Sequence, residues 1–99
     1  MRNYFAKSLF EIAEKDKRII LLSGDIGNRL FDKYKKKFPN RFVNCGVAET
    51  NMVGVAAGLA ANGFIPFIYT ITPFLIYKCF EQIKVDLAYS KLQAFIVGT

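Results

Sequence analysis

Val43-Asn44-Cys45-Gly46-Val47-Ala48-Glu49-Thr50-Asn51-Met52-Val53-Gly54-Val55-Ala56-Ala57-Gly58-Leu59-Ala60 carries the architecture of this chain. A short apolar strand runs into one carboxylate, and the carboxylate opens a helix of small and apolar residues. A helix with no polar stripe is expected to lie inside a protein or an interface. Glu49, at its mouth, is then sheltered from water. Desolvation raises a carboxyl pKa while the positive end of a helix dipole lowers it, so the net sign is open at this point. Two roles fit: an acid that offsets the helix dipole, or a buried proton carrier. Gly46, Gly54 and Gly58 allow close approach by a ligand or by a packing sheet equally well.

On either side of this stretch, apolar runs alternate with helical periodicity. Phe5, Leu9, Ile12 and Ala13 share a face of a helix over residues 2–16. Arg18–Ser23 is a continuous apolar run, the pattern of a strand buried on both faces. Leu30–Phe38 reads as a helix stopped by Pro39-Asn40, and Phe42–Asn44 as a short strand. Asn62-Gly63 closes the small-residue helix. Phe64–Thr70 is a third strand, Thr72-Pro73 opens a helix through Ala88, and Lys91–Thr99 ends on a fourth strand. Repeated βαβ units predict an α/β fold, a mainly parallel sheet with helices on both faces. Ligands on such sheets bind beyond the carboxyl ends of the strands, here Ser23–Asn28, Asn44–Glu49, Thr70–Phe74 and Gly98–Thr99.

At 99 residues the chain is one small domain, yet it is 53% hydrophobic. That apolar surplus predicts surface covered by further chain or another subunit. The terminal strand over Leu92–Thr99 has nothing after it to cover it, so the chain reads as the front part of a larger protein. The net charge of +6 is concentrated in Lys15–Arg18 and Lys33, Lys35, Lys36 and Lys37. These stretches are short and lack the interleaved aromatics of a base-stacking surface, which argues for solvated helix ends and against nucleic acid. No apolar run is long enough to span a bilayer. The absence of histidine excludes histidine-ligated metals and histidine acid–base work within this stretch. Cys45 and Cys79 lack metal-ligand spacing and fit a reduced, cytoplasmic setting.

Two further groups fall near the strand ends. Phe74, Tyr77 and Phe80 stand at i, i+3 and i+6, either as a core stripe or as an aromatic wall against a flat ring. Asp25, within Ser23-Gly24-Asp25-Ile26-Gly27, is a turn residue or a polar ligand contact. The run is no dinucleotide fingerprint, and the chain has no phosphate-binding Gly-Lys-Ser/Thr loop.

Taken in order, Ile20-Leu21-Leu22-Ser23-Gly24-Asp25, Phe38-Pro39-Asn40-Arg41-Phe42, Gly46-Val47-Ala48-Glu49-Thr50-Asn51-Met52, Ala56-Ala57-Gly58-Leu59-Ala60, Pro66-Phe67 and Phe80-Glu81-Gln82-Ile83 resemble the transketolase family. The likeness is nearest to the pyrimidine-binding domain of separately encoded C-terminal transketolase subunits and of deoxyxylulose phosphate synthases. It implies that residues 1–99 are the N-terminal part of one such domain. It also implies thiamine diphosphate as cofactor and two-carbon ketol transfer as the activity. In that family the glutamate at the place of Glu49 hydrogen-bonds the aminopyrimidine ring and promotes the tautomer that removes the thiazolium C2 proton.

The same resemblance implies an aromatic wall for the pyrimidine at Phe74, Tyr77 and Phe80 and a cofactor contact at Asp25; Arg29, just beyond Asp25, is expected to meet the phosphate of a sugar phosphate substrate. The family's diphosphate and Mg²⁺ motif, Gly-Asp-Gly…Asn, is missing. Both are therefore expected on a partner domain or subunit, in a homo- or hetero-oligomer, with the isolated chain inactive. Two alternatives stand beside this reading: a related 2-oxo acid dehydrogenase β-like subunit, and a non-catalytic α/β interaction module.

Overall fold

The structure, a computed structural model, describes residues 1–99. The five consecutive side chains of β1 (Ile19–Ser23) are all buried, and the strand lies inside a four-stranded sheet of order β2-β1-β3-β4. Every pairing is parallel. Leu21 stands opposite Phe42 of β2 (Phe42–Asn44) and opposite Phe67 of β3 (Ile65–Thr70), while Phe67 also stands opposite Phe95 of β4 (Phe95–Gly98). The chain leaves β1 toward β2 on one side, then crosses back to β3 on the other. That reversal opens a crevice at the carboxyl ends of β1 and β3.

Strand alternation divides the core into two layers. On one face Ile20, Leu22 and Ile68 pack against Met52, Val53, Ala56 and Ala57 of α3 (Glu49–Ala61), with Leu75, Cys79 and Leu87. On the other, Ile19, Leu21, Phe67 and Tyr69 pack against Leu9 and Ala13 of α1 (Arg2–Lys15), with Phe31 and Tyr34 beside or on α2 (Asp32–Lys37). Helices thus cover both faces, as expected. Phe31 meets the Tyr69 ring edge-on at 5.0 Å and Phe5 stacks on it at 5.8 Å. Each such contact adds roughly 0.5–1.5 kcal/mol beyond burial.

Arg41 ties α1 to the sheet. Its guanidinium donates to the carbonyls of Ala13, Asp16 and Ile19 at 3.1, 2.9 and 3.3 Å, and it lies 4.1 Å from the Phe38 ring centroid. It thereby satisfies the Ala13 carbonyl in the last turn of α1 and adds a donor to the Asp16 and Ile19 carbonyls on the way into β1. The basic stretches meet acids and rings nearby: Arg18 pairs with Asp16, Lys37 with Glu14, and Lys33 and Lys37 approach Phe10.

Two expectations change, and the small-residue helix, expected inside a protein or an interface, is covered by this chain on one side only. Met52, Val53, Ala56 and Ala57 face the sheet, while Asn51, Val55 and Gly58 face outward. The sheet covers only one side of a helix laid on it. Gly46 and Gly58 also have open space where a Cβ would stand, so neither serves tight helix-on-sheet packing. The helix expected from Thr72 to Ala88 is interrupted. α4 (Thr72–Ile76) stops, one helical turn follows at Phe80–Gln82, and a π-helical segment runs over Ile83–Tyr89. The wider π turn puts Leu87 into the core and leaves Val85 and Tyr89 outside.

Candidate functional site

The loops after β1 and β2 meet at the sheet's carboxyl rim. Ser23 Oγ donates to the Ile26 carbonyl at 2.8 Å, closing a tight turn in which Asp25 takes a left-handed backbone with φ of 60°. Asn44 Nδ2 donates to Asp25 Oδ1 at 2.9 Å, and Asn44 Oδ1 accepts the Gly46 N–H at 2.9 Å. Gly46 has φ of 72°, a conformation that glycine adopts without a Cβ penalty. The chain turns there and delivers Glu49 to the first position of α3. A polar cavity of about 310 Å³ lies between the two loops, lined by Ser23, Asp25, Asn28, Lys35, Phe42 and Asn44. A larger cavity of about 350 Å³ lies between α1 and α2, on the opposite face of the sheet from α3.

Glu49 is 2% exposed. Lys78, in the break between α4 and the Phe80 turn, donates from Nζ to Glu49 Oε2 at 2.8 Å, and its side chain is 54% exposed. That hydrogen bond, aided by the backbone amide of Glu49 itself and by the charge of Lys78, holds the carboxyl below its ordinary pKa although burial pushes it up. The sign that competing effects leave open in the sequence is thus decided by a residue 29 positions away. The Lys78 ammonium is held above its usual value by the same contact. Burial, then the charge of Glu49, push the neighbouring Cys79 thiol up, and burial does the same at Cys45.

Phe74, Tyr77 and Phe80 are 45%, 83% and 65% exposed, which removes the core-stripe reading. The side chains of that segment that enter the core are Leu75, Cys79 and Leu87, so the buried row is out of phase with the aromatic one. Arg29 also has a left-handed backbone, with φ of 65°. Its side chain is 87% exposed, its nearest acid is Asp32 at 4.0 Å, and it does not line the polar cavity. The fold therefore joins Asp25 to Asn44 and Glu49 to Lys78, and leaves Arg29 apart. Lys78 escapes a reading of the sequence, and Asn44 and Lys35 stand out there only as part of a strand end and of a basic stretch. A lone cation inside the apolar run Phe74–Phe80 is the one local signal that points to Lys78. No grouping of three or more Cys, Asp or Glu side chains is placed to hold a metal ion, and no helix is long and apolar enough to cross a membrane.

Residues 1–99 match the family described as transketolase, pyrimidine binding domain. The chain is 38% identical over its whole length to the 6-deoxy-6-sulfo-D-fructose transketolase subunit SqwH of Clostridium sp. (strain MSTE9), spanning 31% of that protein. It is 39% identical over 98% of its length to an apulose-4-phosphate transketolase subunit of Phocaeicola vulgatus, again spanning 31%. Among solved structures, a split gene transketolase described as an inactive beta4 tetramer superposes with a TM-score of 0.87. That match has 37% identity and covers 95% of this chain and 32% of the other. The chain thus spans about a third of the length of each of these three proteins.

Proposed function

The chain belongs to the transketolase pyrimidine-binding domain family, and from that premise we propose that it forms the pyrimidine-facing half of a thiamine diphosphate site for two-carbon ketol transfer. Thiamine diphosphate, when bound, supplies a nucleophilic carbon that no amino-acid side chain offers. The chain's own residues bind, orient and hold a proton. Glu49 is the proton-holding group: a buried carboxyl presented at the rim shares a proton with a weakly basic ring nitrogen better than a solvated one does. Phe74, Tyr77 and Phe80 provide flat apolar area against the ring. Asp25, fixed by Asn44, is a polar contact beside the cofactor. Arg29, with its guanidinium in water, receives the phosphate of a sugar phosphate substrate. Mg²⁺ and the diphosphate fall to a partner domain or subunit, so the chain is inactive by itself and works in a homo- or hetero-oligomer. Two free cysteines are consistent with a reduced, cytoplasmic setting.

The observation that carries this reading is Glu49, a 2%-exposed acid at the ligand rim whose one ionic partner is a half-exposed lysine. The outward aromatics and the bare side of α3 support it, since both need a covering partner. The test is Glu49→Gln in the full protein assembled with its diphosphate-domain partner. Ketol transfer falls by about 10²-fold or more, and the near-ultraviolet circular dichroism band of the bound aminopyrimidine disappears. Unchanged turnover overturns the assignment.

A further inference from the structure

Lys78 and Glu49 form an unequal pair. Glu49 is rooted at the first position of a thirteen-residue helix and is buried, while Lys78 lies in a helix break with more than half its side chain in water. A lysine ammonium on four flexible carbons swings into solvent without disturbing packing. A buried carboxylate cannot follow it. Whatever replaces Lys78 must therefore be a hydrogen-bond donor that reaches Glu49 at the rim. Lys78 and Cys79 are the titratable groups whose charge acts on, or responds to, that of Glu49.

We propose that Lys78 is a displaceable cap: its ammonium stands at Glu49 where a heterocyclic N–H donor would dock, and it swings into solvent when the ring arrives. No bond between heavy atoms changes: the ammonium keeps its protons as it leaves, the weakly basic ring nitrogen takes up one proton from solvent as it docks, and one N–H···O hydrogen bond to Glu49 replaces another. The cap keeps the empty site from burying an unpaired charge. It also lowers apparent affinity by the fraction of molecules in which it is closed. Lys78 is a positioning residue in this scheme. The inference rests on the thiamine diphosphate reading above.

The experiment uses the full protein with its diphosphate-domain partner, as wild type, Lys78→Met and Lys78→Arg. In the cofactor-free assembly, the protonation midpoint of Glu49 is followed by carbon-13 NMR of labelled glutamate, assigned with Glu49→Gln. Lys78→Met moves the midpoint upward, and Lys78→Arg leaves it near wild type. Thiamine diphosphate is then titrated in the presence of Mg²⁺. Removing the cap in Lys78→Met tightens binding roughly three- to tenfold, and Lys78→Arg restores wild-type affinity. An unmoved Glu49 midpoint in Lys78→Met overturns the pairing. A raised midpoint with unchanged or weaker binding overturns displacement and makes Lys78 a fixed structural partner. No binding by any variant, wild type included, overturns the cofactor reading itself and the exchange with it.

Discussion

Asn44 Nδ2 donates a 2.9 Å hydrogen bond to Asp25 Oδ1, joining the turn after β1 to the end of β2 at the rim of the sheet. The same side chain accepts the Gly46 N–H, so one amide fixes both loops that frame the polar cavity. Asn44→Ala removes both bonds at an exposed site, with an expected loss of about 1 kcal/mol in urea denaturation of the full protein. Asp25→Gly loses one bond but relieves a left-handed backbone at φ 60°, and costs less than Asn44→Ala. Equal losses would show that the hydrogen bond, and not the backbone, dominates at Asp25.

Arg41 caps three carbonyls and stacks on Phe38. Arg41→Ala leaves the end of α1 without those donors and is expected to cost about 1.5–3 kcal/mol in the same measurement. Arg41→Lys recovers only part of this, because an ammonium lacks the planar fork and the stacking face.

The outward aromatics and the buried row of the same segment respond oppositely. Leu75→Ala opens a cavity under the sheet face and is expected to cost about 2–5 kcal/mol. Tyr77→Ala, at a largely exposed position, changes unfolding by less than about 0.5 kcal/mol. If Tyr77 lies against the cofactor ring, its truncation weakens thiamine diphosphate binding in the assembled protein while stability holds. Equal binding by wild type and Tyr77→Ala removes Tyr77 from the wall.

Asp16 gives a pH signature. The Arg18 side chain, then the Arg18 backbone N–H, hydrogen-bond its carboxylate, and the Arg18 and Arg41 charges assist. Its pKa is held down at about 2 against an ordinary 3.8. A depressed folded value means the contribution is complete above the unfolded pKa and is lost as pH falls through the folded one. The difference in urea midpoint between wild type and Asp16→Asn is therefore constant above about pH 5 and closes between about pH 4 and 2. A difference that persists at the acid end would mean Asp16 stabilises through its shape and not its charge.

Much of this fold is written in local patterns. A doubly buried strand needs an unbroken apolar run, and Ile19–Leu22 is one. Glu49 and its small-residue helix are equally plain, and Asn62 ends the helix at the expected place. The Thr72–Tyr89 segment is less legible, because an apolar spacing read as α-helical also fits a broken helix followed by a π turn. That ambiguity admits Phe74, Tyr77 and Phe80 to a core row, where Leu75 and Cys79 belong. Lys78 is invisible for another reason. Its partner lies at the far end of α3, with β3 and α4 also between them, and local periodicity holds no trace of contacts at that separation. Arg41 escapes in the same way, since its acceptors are the backbone carbonyls of Ala13, Asp16 and Ile19.

Gly24 and Thr70 meet at the crevice between β1 and β3. Gly24 follows β1, and a Cβ there would stand 2.9 Å from Thr70 Oγ1 and 3.2 Å from Thr70 Cβ. Thr70 is fully buried at the end of β3, so it has little room to retreat, and Gly24→Ala is expected to cost about 1–3 kcal/mol. Thr70 Oγ1 has no hydrogen-bond partner. Thr70→Val exchanges that unpaired hydroxyl for a methyl of similar size and is expected to be neutral or stabilising. Thr70→Ala removes the hydroxyl that Gly24→Ala would strike, so the double variant should lose less than the sum of the two single ones. Strict additivity in a urea double-mutant cycle would show that the two positions do not touch, and that the crevice is wider than the packing of Gly24 on Thr70 allows.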